Sequence, residues 1–132
     1  MTPEIAVFWD SIRPIAGRYP PAAFSFVLEG LRHTVRSVRA GEAAEVGAEG
    51  ESRHISGQEL CLGLRDFAID QYGLLARAVL VSYGISRTED FGRIVFILVE
   101  AGLMRKTEED HIEDFEHVFD FDEAFTSPLT AV

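Results

Sequence analysis

Two histidines and one cysteine are the side chains whose types could carry reactive chemistry. His111 and His117 lie among Asp110, Glu113, Asp114, Glu116 and Asp120, the nitrogen and oxygen donors that hold zinc, manganese or iron. A helical metal pair wants i, i+3 or i+4 spacing, and a separation of six residues matches neither a helix turn nor directly paired strand positions. His54 would have to arrive from an upstream loop as third ligand, so a metal-dependent enzyme at His54, His111 and His117 is the most distant of the permitted functions. Cys61 is the sole thiol. A place in the first turn of a helix, seven residues after His54, would lower its pKa toward a nucleophile. Its neighbours Leu60 and Leu62 fit a small buried apolar residue instead. Asp120-Phe121-Asp122-Glu123 lacks the glycine and distal bidentate glutamate of a calcium loop. There is no Gly-x-Ser-x-Gly elbow and no Gly-rich phosphate loop. These patterns predict no catalytic residue, no cofactor and no metal.

Two further patterns suit binding. Phe115, Phe119, Phe121 and Phe125 alternate with Glu116, Asp120, Asp122 and Glu123. Either the rings complete the core and the carboxylates face water, or the segment offers an acidic aromatic surface to a basic, apolar groove, where long-range attraction speeds encounter. Alternation allows both at once. Arg32, Arg36 and Arg39 fall at i, i+4, i+7 on one helix face. That stripe fits phosphate contact, or a solvated face whose last cations favour the helix C-terminus.

The elements that must position these residues are helices. Thr2-Pro3-Glu4 has the form of an N-cap, a first-turn proline and an acid beside the positive helix end. Ile5, Phe8, Trp9 and Ile12 then mark one face until Pro14 and Gly17. Phe24, Val27, Leu28, Leu31, Val35 and Val38 keep helical period to Gly41, placed as a C′ stop. Residues 41–54 hold three glycines and four glutamates around little that can be buried, and read as a mobile acidic loop. Ser56-Gly57-Gln58-Glu59 is a capping box opening a helix with Leu60, Leu64, Phe67, Ala68 and Tyr72 inward. A further helix spans 74–83 with Leu75, Ala78, Val79 and Tyr83 inward. Ser86-Arg87-Thr88-Glu89, a second capping box, opens one with Phe91, Ile94, Val95, Leu98 and Ala101 inward. Gly73, Gly84 and Gly102 end the three. After Gly102, Leu103–Thr107 and Phe115–Phe121 alternate enough for a short β-hairpin, with an extended acidic tail as the other option.

Three helices with short glycine turns followed by a possible hairpin resemble a winged helix-turn-helix, with Leu98–Met104 resembling the exit of the recognition helix into the wing. In nucleic-acid-binding members of that class the third helix meets the major groove and the wing meets phosphate. Here those places carry Glu89 and Asp90, and Glu108, Glu109, Asp110, Glu113 and Asp114, which repel a phosphate backbone. The chain also resembles a family of small bacterial proteins with no assigned activity. The stretches are His54-Ile55-Ser56-Gly57-Gln58-Glu59-Leu60, Arg87-Thr88-Glu89-Asp90-Phe91-Gly92 with Ile94-Val95-Phe96, Val99-Glu100-Ala101-Gly102-Leu103, and Lys106-Thr107-Glu108-Glu109-Asp110 with Glu113-Asp114-Phe115. This resemblance implies a bacterial cytoplasmic protein and carries no catalytic residues.

At 132 residues and 47% hydrophobic, the chain suits one domain with a single core. It divides into an N-terminal helical pair (1–40), the loop (41–54), a winged-helix-like unit (55–125) and a tail (126–132). The net charge of -10 is uneven, because residues 107–132 carry nine acids and no Lys or Arg. One cysteine excludes an internal disulfide. No signal-like or membrane-spanning run is present, which predicts a cytoplasmic location. The expected fold is mostly α. The expected function is a non-catalytic adaptor or regulator that binds a basic protein surface through Phe115, Glu116, Phe119, Asp120, Phe121, Asp122, Glu123 and Phe125. The alternative is a winged-helix regulator contacting nucleic acid through Arg32, Arg36 and Arg39.

Overall fold

The computed structural model describes residues 1–46 and 55–125, with 41–46 as backbone only. Residues 47–54 of the expected loop and the 126–132 tail lie outside the described residues. The fold is mostly helical. Its elements are α1 (Pro3–Ile12), α2 (Pro21–Val46), α3 (Gly57–Tyr72), α4 (Ala76–Ser82), α5 (Thr88–Glu100) and a single closing turn, α6 (Phe121–Ala124), with 3-10 turns at Arg13–Ile15, Gly73–Leu75 and Ile112–Phe115. No described helix is long and apolar enough to cross a membrane.

Local signals act where the sequence places them at both early caps. The Thr2 hydroxyl accepts the Ile5 N–H at 3.3 Å. In α3 the Ser56 hydroxyl accepts from Glu59 N–H and the Glu59 carboxylate accepts from Ser56 N–H, both at 3.1 Å, a complete capping box. The glycine stops also hold. Gly84 and Gly102 take φ of +82 and +84, a left-handed conformation that an L side chain resists.

Three expectations are corrected. Gly41 does not end the second helix, which continues to Val46. The Glu-Ala-Ala-Glu run after it consists of strong helix formers, enough to carry one glycine that costs about 1 kcal/mol. In the 74–83 region the buried face is Ala76 and Leu80, while Leu75 and Ala78 face solvent. The entry turn Gly73–Leu75 is 3-10, and its three residues per turn rotate the apolar phase ahead of α4. Finally, no strand exists among the described residues, so the 103–121 hairpin is absent. A turn at Thr107–Asp110, a 3-10 turn and α6 take its place.

The core centres on α2, which packs most extensively on α3. Two mid-helix glycines permit their approach. A Cβ on Gly63 would lie 1.9 Å from Thr34 Oγ1, and one on Gly30 would lie 2.2 Å from Leu64 Cδ2. Thr34 spends its hydroxyl on the Gly30 carbonyl at 2.8 Å, so no polar group is stranded in the seam. Phe24, Val27, Leu64, Leu80, Ile85, Phe91, Ile94 and Leu98 fill the interior.

Candidate binding site

The start of α5 is organised by one buried carboxylate. Asp90, 0% exposed, accepts the Ser86 N–H at 2.9 Å and the Arg87 N–H at 3.3 Å through Oδ2. Its Oδ1 accepts from Tyr19 Oη and Arg18 Nη2, each at 2.5 Å, and from Arg93 Nη1 at 2.7 Å. The expected cap therefore shifts: Arg87 is the N-cap residue, and Asp90 supplies the carboxylate that Glu89 was to give. Burial pushes the Asp90 carboxyl up, but the Ser86 N–H, the Tyr19 hydroxyl and the Arg18 and Arg93 guanidinium groups outweigh it, and its pKa lies below the ordinary value. Burial and Asp90 together push the Tyr19 phenol up, so it remains a donor. This cluster ties Arg18 and Tyr19, in the link leading into α2, to the start of α5, and Asp90 is no longer a charge offered to solvent.

Thr88, the first residue of α5, clamps the acidic segment. Its buried hydroxyl donates to the Phe115 carbonyl at 2.7 Å and accepts from the Val118 N–H at 3.1 Å. Phe115 then slots between two glycines: a Cβ on Gly92 would come within 2.8 Å of Phe115 Cβ, and one on Gly57 within 3.0 Å of its Cε2. Phe121 is buried, Phe119 and Phe125 pack against the core, and Phe91 contacts both Phe119 and Phe121. Of the four phenylalanines read from the sequence as core or interface, Phe115 and Phe121 are core and Phe119 and Phe125 are half-buried against it. What faces solvent is Glu108, Glu109, Glu113, Glu116, Asp120, Asp122 and Glu123.

Three acids of this segment, the exposed Asp120 among them, hold its backbone. Asp110 Oδ2 accepts from Thr107 N–H at 2.7 Å, Asp114 Oδ2 from His111 N–H at 2.9 Å, and Asp120 Oδ1 from Asp122 N–H at 2.8 Å and Glu123 N–H at 3.2 Å. Each is a local cap or turn lock. His111 and His117 are exposed, His54 lies outside the described residues, and among the described residues no three His, Cys, Asp or Glu side chains converge as a metal site would need. Cys61 is fully buried. Burial, aided by the charge of Glu89, raises its pKa to about 12, which leaves it a thiol at neutral pH.

The arginine stripe is divided. Arg32 donates to the Glu4 carboxylate on α1, Arg36 is exposed, and Arg39 lines a separate cleft. That cleft, about 360 Å³, runs between α2, the start of α3 and the end of α5. Leu31, Val35, Leu60, Val95, Phe96 and Met104 give it an apolar floor, and Arg39, Arg105, Lys106 and Asp110 line it with charge. Helical periodicity assigns Leu31, Val35 and Val95 to the core and gives no sign of the cleft. The available signal was the pair Arg105 and Lys106 directly after Met104, a local basic point before the long acidic run.

No protein-family model, curated protein or solved structure matches the chain.

Proposed function

We propose that this protein is a non-catalytic adaptor or regulatory module whose ordered acidic face, residues 107–125, docks a basic protein surface. One observation carries the reading: seven exposed carboxylates are borne on a backbone pinned by Phe115, Phe119, Phe121 and the Thr88 clamp. A pinned face orders little on binding, so its charges steer encounter without a large entropic cost. Compared with the expectation from sequence, the aromatic rings act by positioning the carboxylates and do not themselves meet the partner. The resemblance to small bacterial proteins supports a bacterial setting, and no described helix is long and apolar enough to cross a membrane. Phosphate contact through Arg32, Arg36 and Arg39 has less support, because Glu4 already engages Arg32.

Affinity capture with the full chain and with a Glu108→Lys/Glu109→Lys/Glu113→Lys/Glu116→Lys variant tests the reading. The parent should retain a basic protein that 0.5 M salt, at about a 4 Å screening length, releases, and the variant should lose it. Retention of the same proteins by both forms would overturn the proposal.

A further inference from the structure

The cleft between α2, α3 and α5 has a chemistry opposite to that of the acidic face. Its floor is hydrocarbon and thioether, and three cations from two separate places, Arg39 on α2 and Arg105-Lys106 after α5, line it, with Asp110 the one opposing charge among the described residues. Ion pairs among the described residues engage Arg18, Arg32, Arg65, Arg77 and Arg93, and none engages these three cations. A volume of about 360 Å³ falls at the small end of the range for small-molecule sites, roughly 300–1,000 Å³. A docked protein would instead need about 800 Å² of surface on each partner, more than such a cleft offers. The apolar floor also suits a hydrocarbon body better than a nucleotide.

We propose that this cleft binds a small amphipathic anion, an unbranched hydrocarbon body with one carboxylate or phosphate head. The body lies on Leu31, Val35, Val95, Phe96 and Met104, and the head meets Arg39, Arg105 and Lys106. The excess of cations over Asp110 selects an anionic head, and the cleft's size limits the body to medium chain length.

Calorimetric titration of the full chain with decanoate, decyl phosphate and decanol, each below its aggregation threshold, tests this. Decanoate or decyl phosphate should bind one to one, the tighter of the two identifying the head group, with decanol at least about tenfold weaker. Arg105→Ala/Lys106→Ala, in an exposed segment, should weaken the anion by about tenfold or more while leaving the thermal transition in place. Val35→Trp should block binding by filling the floor. Absence of binding by both anions, equal binding of decanol, or anion binding unchanged in Arg105→Ala/Lys106→Ala would overturn the proposal.

Discussion

At the residue scale the fold depends on polar side chains whose role comes from a distant partner. Asp90 stands beside Glu89 in sequence, and only its neighbours in space separate them. It receives three side-chain donors and two backbone N–H groups. Its lowered pKa makes its contribution to stability complete above the unfolded carboxyl pKa, about 3.9, and lost as pH falls through the lower folded value. Asp90→Asn should cost about 2 kcal/mol at pH 7, since Arg18 and Arg93 are half exposed and regain water. Its denaturation profile between pH 7 and 2 should also be flatter than the parent's. Cys61 makes a simpler prediction: a disulfide-exchange reagent should react with it only at the rate of unfolding, and fast stoichiometric labelling of native protein would contradict its burial. His117 holds φ of +43. A β-branched side chain resists that conformation, so His117→Val should lose about 1–2 kcal/mol in chemical denaturation.

At the element scale, the caps at Thr2 and Ser56, the glycine stops and the inward faces of α3 and α5 were legible because they depend on residues within four positions of one another. The end of α2, the phase of α4 and the replacement of a hairpin by turns were not. Alternation of Phe119, Asp120 and Phe121 suits a strand, but Asp110, Asp114 and Asp120 each lock a turn locally, and a strand could not form through those turns. The turn-forming form was present in Thr107-Glu108-Glu109-Asp110, a capping-box pattern outside any apolar run. Glycine had two roles that periodicity does not separate. Gly84 and Gly102 stop helices, whereas Gly30, Gly63 and Gly92 admit neighbours. Gly63→Ala should therefore destabilise by about 1–3 kcal/mol despite alanine's better helix propensity, read as a fall in denaturation midpoint. A neutral effect would mean that α2 and α3 do not meet as closely as Thr34 and Gly63 do here.

At the scale of the whole molecule, two regions of opposite charge adjoin at Asp110, which belongs to the acidic segment and lines the cationic cleft. The carboxylates of 107–125 are carried outward by phenylalanines turned inward, and the cationic cleft opens between α2, α3 and α5. The candidate acidic residues were legible from composition, because nine acids without a Lys or Arg are visible in the chain. The cleft was not, since Arg39 and Arg105 are far apart in sequence and only the meeting of α2 with the end of α5 brings them together. The proposed docking role requires the acidic segment to be an ordered face and not a tail. Amide hydrogen exchange on the full chain tests it most directly. The Val118 amide, bonded to Thr88, should exchange slowly and lose protection in Thr88→Val, while the centre of α5 stays protected. Exchange across residues 111–121 at the rate of an unfolded peptide would contradict it.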